Sequence, residues 1–116
     1  MHEMSIAQDI LEIVQDTLSK ERLNGSAKLK EVAVQIGELV AVVPESLEFC
    51  FNVLTENTEM NGALLKIEII PLTGRCQDCR HQFHVENFSF SCPHCHSVKI
   101  DIIQGEELII RHLEVV

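Results

Sequence analysis

Two short motifs constrain this chain more than anything else in it: Cys76-Gln77-Asp78-Cys79 and, after twelve intervening residues, Cys92-Pro93-His94-Cys95. Each pair can aim two sulfurs at one point, and two such turns close a tetrahedron around a single ion. The same residues could instead make a redox pair, a disulfide pair or a rubredoxin-like iron site. A redox CxxC comes singly beside a strand-helix-strand pattern, whereas here two pairs come together. Iron accepts four thiolates, but the spacing and a reducing compartment favour zinc. A closed four-sulfur shell leaves no position for water, so the ion is structural or sensory, not catalytic.

Residues 75–97 hold four of the five cysteines and four of the six histidines. The segment His81 to Phe90 is expected to form a hairpin joining the two motifs, with Val85, Phe88 and Phe90 as its apolar residues. These are too few to fold the lobe alone, so metal binding must supply free energy on the order of 10 kcal/mol. His81, His84, His94 and His96 read as solvated loop side chains. The sharper alternative is that His81 or His96 replaces a cysteine as pH or metal state changes.

The rest of the chain is apolar and periodic. Ile6, Ala7, Ile10, Leu11, Val14 and Leu18 recur at helical spacing, which predicts a helix over roughly 5–22. Ser5 with Gln8 makes a capping-box start and Asn24-Gly25 a stop. Met1 to Met4 then form a short free arm. Val32, Val34 and Ile36 alternate with polar residues as in a half-buried strand over 28–38. Pro44 can begin a second helix, with Leu47, Cys50, Phe51 and Leu54 on one face and Cys50 as a small core hydrophobe. Asn61-Gly62 turns the chain into a strand over 63–72, and 107–116 reads as another. A strand, a crossover helix and a strand give parallel pairing.

The expected fold is therefore α+β: two helices on a three-stranded mixed sheet, with an inserted zinc-ribbon-like four-cysteine lobe. The main domain takes residues 1–72 and 105–116, and the lobe takes 73–104.

Eighteen acidic residues against nine basic ones give a net charge of −9. Nucleic acid is a poor partner for such a surface, because phosphate binding needs clustered Lys and Arg. A basic protein patch or a metal cation suits it better. MHEMSIAQDI lacks a basic start followed by an apolar run, so no secretory signal is expected. No apolar stretch has the length of a bilayer span. The expected location is the cytoplasm. An enzyme is not expected: there is no nucleophile–base pair, phosphate-cradling glycine loop or open metal site.

At the start of the chain, a free α-amine, the His2 backbone nitrogen and the His2 imidazole can form adjoining chelate rings, and the Glu3 amide can add another nitrogen. Deprotonated amides favour a planar arrangement that suits Ni²⁺ or Cu²⁺ rather than Zn²⁺. Protons compete for these donors, so binding weakens on acidification. Bulky His2 keeps Met1, and hence its amine, in place. Taken by itself, a His at position 2 is usually just a flexible terminal residue, and Glu3 an acid favouring the positive end of the following helix.

MHEMS at the start, VAVQIGELVAVVPESLEFCFNVL in the middle and the two CxxC motifs together resemble the HypA/HybF family, nickel chaperones for maturing nickel–iron hydrogenases. The likeness covers essentially the whole chain. It implies that Met1, His2 and Glu3 form the nickel site and that Cys76, Cys79, Cys92 and Cys95 hold a structural zinc. It implies handover of a transferable nickel ion, with the maturation GTPase HypB and the immature hydrogenase large subunit as protein partners. A homodimer and a supporting role in urease activation also fit it. The competing reading is a zinc-ribbon protein- or nucleic-acid-binding module without nickel function, and that reading predicts a basic face.

Overall fold

The structure, a computed structural model, describes residues 2–20 and 28–115. Its elements run helix α1 (Glu3–Lys20), strand β1 (Leu29–Gly37), a 3-10 turn (Glu38–Val40), helix α2 (Pro44–Thr55), then strands β2 (Leu64–Ile70), β3 (Thr73–Cys76), β4 (Gln82–His84), β5 (Ile100–Gln104) and β6 (Leu108–Val115). The expected helix stop at Asn24-Gly25, and the expected extension of α1 to residue 22, lie outside the described residues.

Helix α1 buries Ile6, Ala7, Ile10, Leu11 and Val14, the expected stripe. It begins two residues earlier than its sequence pattern suggests. Ser5 is inside the helix, where its Oγ donates to the His2 carbonyl at 2.9 Å, and the Ile6 N–H reaches the same carbonyl at 3.0 Å. The capping box over Ser5 and Gln8 is thus not formed, because the chain is already helical at Glu3. His2 is the one described residue that precedes the helix.

Pro44 opens α2 as expected, its fixed φ suiting the first helical turn. Leu47 and Phe51 are buried, and Thr55 joins them. Its hydroxyl donates to the Phe51 carbonyl at 3.0 Å, so a polar residue sits in the apolar face at no cost in unsatisfied bonds. Cys50 and Leu54 are half-buried.

The first sheet has the order β2-β1-β6, with β1 central. Val32, Val34 and Ile36 are buried as the alternation requires, and Glu31, Ala33 and Gln35 face the other way. Glu31 lies within 3.3 Å of Lys66 and 3.4 Å of His112, joining three strands. A second three-stranded sheet, order β4-β3-β5, was not anticipated in full. Both of its ladders are antiparallel. The hairpin closes around the first CxxC motif, pairing β3 with β4, rather than lying within residues 81–90.

The chain divides into two compact units. One comprises residues 1–34, 42–68 and 109–116; the other comprises 35–41 and 69–108. The second therefore takes in residues 35–41, 69–72 and 105–108, which sequence alone grouped with the first. Within it Gly37 and Gly105 meet backbone to backbone: the Leu39 N–H reaches the Gly105 carbonyl at 2.9 Å and the Gly37 N–H reaches that of Glu107 at 2.7 Å. A Cβ on Gly37 would collide with the Gly105 peptide, and Gly105 has φ +114°. Leu72 and Val85 are buried here, Phe90 is half-buried, and Phe88 is exposed instead of packed.

Candidate metal centres

The two CxxC motifs fold into the same knuckle twice. In the first, the Cys76 N–H binds the His81 carbonyl and the Arg80 N–H binds the Cys76 carbonyl, each at 2.9 Å. In the second, the Cys92 N–H binds Ser97 and the His96 N–H binds Cys92, again at 2.9 Å. The fifth residue of each knuckle is left-handed, Arg80 at φ 65° and His96 at φ 63°. Neither is glycine, so each turn carries roughly 1–2 kcal/mol of backbone strain held by the bonds around it. The turns leave amide hydrogens aimed at sulfur: Cys79 N–H on Cys76, and His94 and Cys95 N–H on Cys92, at 3.3–3.5 Å.

All four Sγ atoms lie within 4.8 Å of one another. Cys76 and Cys95 are 3.5 Å apart, as are Cys79 and Cys92. Tetrahedral zinc, with Zn–S bonds near 2.3 Å, needs sulfurs about 3.8 Å apart. The donor set and its spacing fit zinc. Among the described residues this is the group of His, Cys, Asp and Glu side chains close enough to share an ion, and no histidine belongs to it.

The electrostatics point the same way. The Cys79 N–H, against the opposing effect of burial, brings the Cys76 thiol down to about 7. For Cys92, burial is the largest influence and pushes upward, but the Cys95 and His94 amides outweigh it and the thiol is lowered. The other two are raised. The His81 amide favours a Cys79 thiolate, yet burial and the Cys92 sulfur prevail. The Ser97 amide likewise favours a Cys95 thiolate, but the Cys76 sulfur and burial push that thiol up to about 12. Four thiolates this close repel one another, so a cation among them is what makes the full set stable.

Around this cluster the two knuckles are cross-tied. Asp78 accepts from the Ser97 hydroxyl at 2.5 Å, and Gln77 donates to Asp101 at 2.8 Å. The rings of His81 and His94 stack 4.1 Å apart and 9° from parallel, one from each knuckle. His84 instead sits 2.8 Å from Glu38, whose Oε1 also accepts the Leu72 N–H at 2.8 Å. These three histidines have specific neighbours, which their crowding in the sequence does not reveal.

The amino-terminal residues are arranged differently. Met1 lies outside the described residues. His2 is exposed, and its carbonyl is engaged by α1. Glu3 is only 4% exposed. Its Oε2 accepts the Val43 N–H at 3.0 Å, and its Oε1 has no hydrogen-bond partner. The Val43 amide, and after it Glu3's own, hold the carboxyl below its usual range. Val43 precedes Pro44 and supplies no side-chain cap to α2, so an acid from elsewhere meets an amide left bare at that helix start. Sequence pattern signals neither partner.

Residues 1–115 match the family described as "Hydrogenase/urease nickel incorporation, metallochaperone, hypA". The hydrogenase maturation factor HypA of Lawsonia intracellularis is 45% identical over 120 residues, covering 99% of each chain. That of Geotalea uraniireducens is 39% identical over 115 residues, again covering 99% of both. The solution structure of the nickel metallochaperone HypA from Helicobacter pylori superposes with a TM-score of 0.68 at 27% identity, covering 100% of this chain and 98% of that one. No helix among the described residues is long and apolar enough to cross a membrane. The chain belongs to the HypA family of hydrogenase nickel metallochaperones, to which hydrogenase maturation factors belong.

Proposed function

We propose that this chain binds Ni²⁺ at Met1-His2-Glu3 and delivers it in the cytoplasm during maturation of nickel–iron hydrogenase, with urease as a second recipient. The observation that carries the reading is the position of His2. It is the last residue before α1, its carbonyl is committed to the helix, and the neighbouring Glu3 carboxylate is pinned to Val43. In the chain, the His2 amide nitrogen and the terminal amine both precede that carbonyl, and the imidazole branches from the same residue. Together they can offer Ni²⁺ a nitrogen chelate next to the start of α1, from which an incoming ligand can take the ion.

Glu3 takes a positioning role for its side chain and offers its amide as a fourth nitrogen. The cysteine cluster keeps zinc and serves as the scaffold of residues 73–104, while residues 1–72 and 105–116 carry the nickel end. The partners are the GTPase HypB and the immature hydrogenase large subunit, with a second copy of the chain as a further contact. A zinc-ribbon nucleic-acid module gains no support from a chain with nine basic and eighteen acidic residues.

Nickel-edge X-ray absorption on the zinc-loaded protein with one equivalent of Ni²⁺ tests the assignment. The expected first shell is nitrogen and oxygen in a low coordination number. Sulfur in that shell would place nickel on the cysteines and end the proposal.

A further inference from the structure

Helix α2 carries an uncovered face that the metal sites do not use. At 100° per residue, Glu45, Glu48, Asn52 and Glu56 line up along the solvent side, and Phe49 and Val53 run beside them one turn apart. Phe49 is 67% exposed and Val53 43% exposed, on a helix whose opposite face is anchored by buried Leu47, Phe51 and Thr55. Half-buried Ser46 and Cys50 bound the other flank of the apolar pair. No residue of α2 is basic. A large aromatic exposed to this degree beside a run of carboxylates has the anatomy of a docking patch, an apolar centre with a charged border.

We infer that the Phe49/Val53 face of α2 docks an amphipathic helix of a partner protein, one bearing an apolar stripe with Lys or Arg along one side. Charge decides the occupant. A second copy of this chain across a two-fold axis would set Glu45, Glu48 and Glu56 against their own kind. An anionic lipid surface or a nucleic acid is repelled by the same carboxylates, in a chain of net charge −9. A helix with cationic residues opposite the glutamates gains both the apolar contact and steering at low ionic strength. Because α2 begins one residue after Val43, whose amide holds Glu3, the helix that carries the patch is tied at its start to the start of α1. A partner seated there is brought toward cargo held at His2, through Val43 and Glu3. That purpose rests on the nickel reading above, whereas the docking itself does not.

The test uses the full-length zinc-loaded protein without nickel, so failure here leaves the nickel reading untouched. A designed eighteen-residue amphipathic helix with a leucine stripe and lysines on one flank is titrated into the 15N-labelled protein, beside a twin carrying glutamates instead. Amide shifts are expected to concentrate on residues 45–56 for the lysine peptide and to be absent for its twin. Phe49→Ser and the pair Glu45→Lys with Glu48→Lys are each expected to weaken binding at least tenfold, and Ile13→Ser on α1 to leave it unchanged. All these sites are exposed, so the variants fold. Shifts centred elsewhere, or Phe49→Ser binding like wild type, would overturn the inference. So would a concentration-dependent dimer in sedimentation that Phe49→Ser abolishes, since it would seat a second copy on the patch.

Discussion

The carboxylate of Glu3 accepts the backbone N–H of Val43 at 3.0 Å, across forty positions of sequence, and so ties the start of α1 to the start of α2. One residue thereby satisfies an amide left bare ahead of Pro44 and holds the backbone that follows His2. Removing the acid should loosen both. Glu3→Ala is expected to lower the thermal midpoint more than Glu3→Gln, whose amide oxygen still accepts from Val43. Zinc content should be equal in both variants, measured by atomic emission beside the melting curves.

Zinc removal should act locally. A strong chelator strips free energy on the order of 10 kcal/mol from a segment with few buried apolar side chains. Amide signals of residues 73–104 should collapse toward random-coil positions, while those of α1 and α2 keep their dispersion. Heteronuclear spectra before and after chelation, and after zinc is restored, check this.

Glu38 joins three parts of the second unit, since its Oε1 receives both the Leu72 N–H and the His84 ring. Glu38→Ala leaves a part-buried amide without its acceptor, at a cost of about 1–3 kcal/mol. His84→Ala removes only an exposed partner and should cost less than about 1 kcal/mol. Urea unfolding of the two variants beside wild type measures the difference.

Among the described residues, three carboxyls lie below their ordinary range. Glu3 is lowered first by the Val43 amide, and Glu38 first by that of Leu72 and then by His84. For Glu31, burial is the largest influence and opposes the shift, but Lys66 and His112 overcome it. A carboxyl with a depressed folded-state pKa stabilises the fold above the unfolded pKa, about 4, and loses that contribution as pH falls through the depressed value. Acid also displaces zinc from thiolates, in the same direction. Stability should hold from neutrality to near pH 5 and then fall, less steeply for Glu38→Gln. Urea midpoints across that range, with bound zinc assayed at each pH, separate the two causes.

Gly37→Ala should be severely destabilising, by more than about 3 kcal/mol, because its new methyl meets the Gly105 backbone, which cannot swing aside as a side chain would. Gly62→Ala, where φ is +89° but the space is open, should cost about 1 kcal/mol. Comparing the two midpoints distinguishes collision from backbone strain.

What the sequence discloses here follows from the range of the physics. Cysteine spacing is local, so the four clustered thiols are legible without any fold. The alternation of Val32, Val34 and Ile36 and the proline at 44 likewise act within a few residues, and their elements appear where expected. Ser5 misleads because the same hydroxyl that caps a helix can bond back to a carbonyl inside one. Strand β5 is too short and mixed to announce itself, and its pairing with β3 is decided by tertiary contact. Phe88 is apolar yet exposed, at a turn where Asn87 and Phe88 both have positive φ. The long-range bonds of Glu3 and Glu38 have no periodic signature at all.

Nickel delivery as proposed requires nitrogen from the first two residues to hold the cargo. The decisive experiment is calorimetric titration of Ni²⁺ into wild type and His2→Ala, with zinc assayed in both. His2→Ala is expected to lose tight nickel binding and retain its zinc. Equal nickel binding by the two proteins would contradict the proposal.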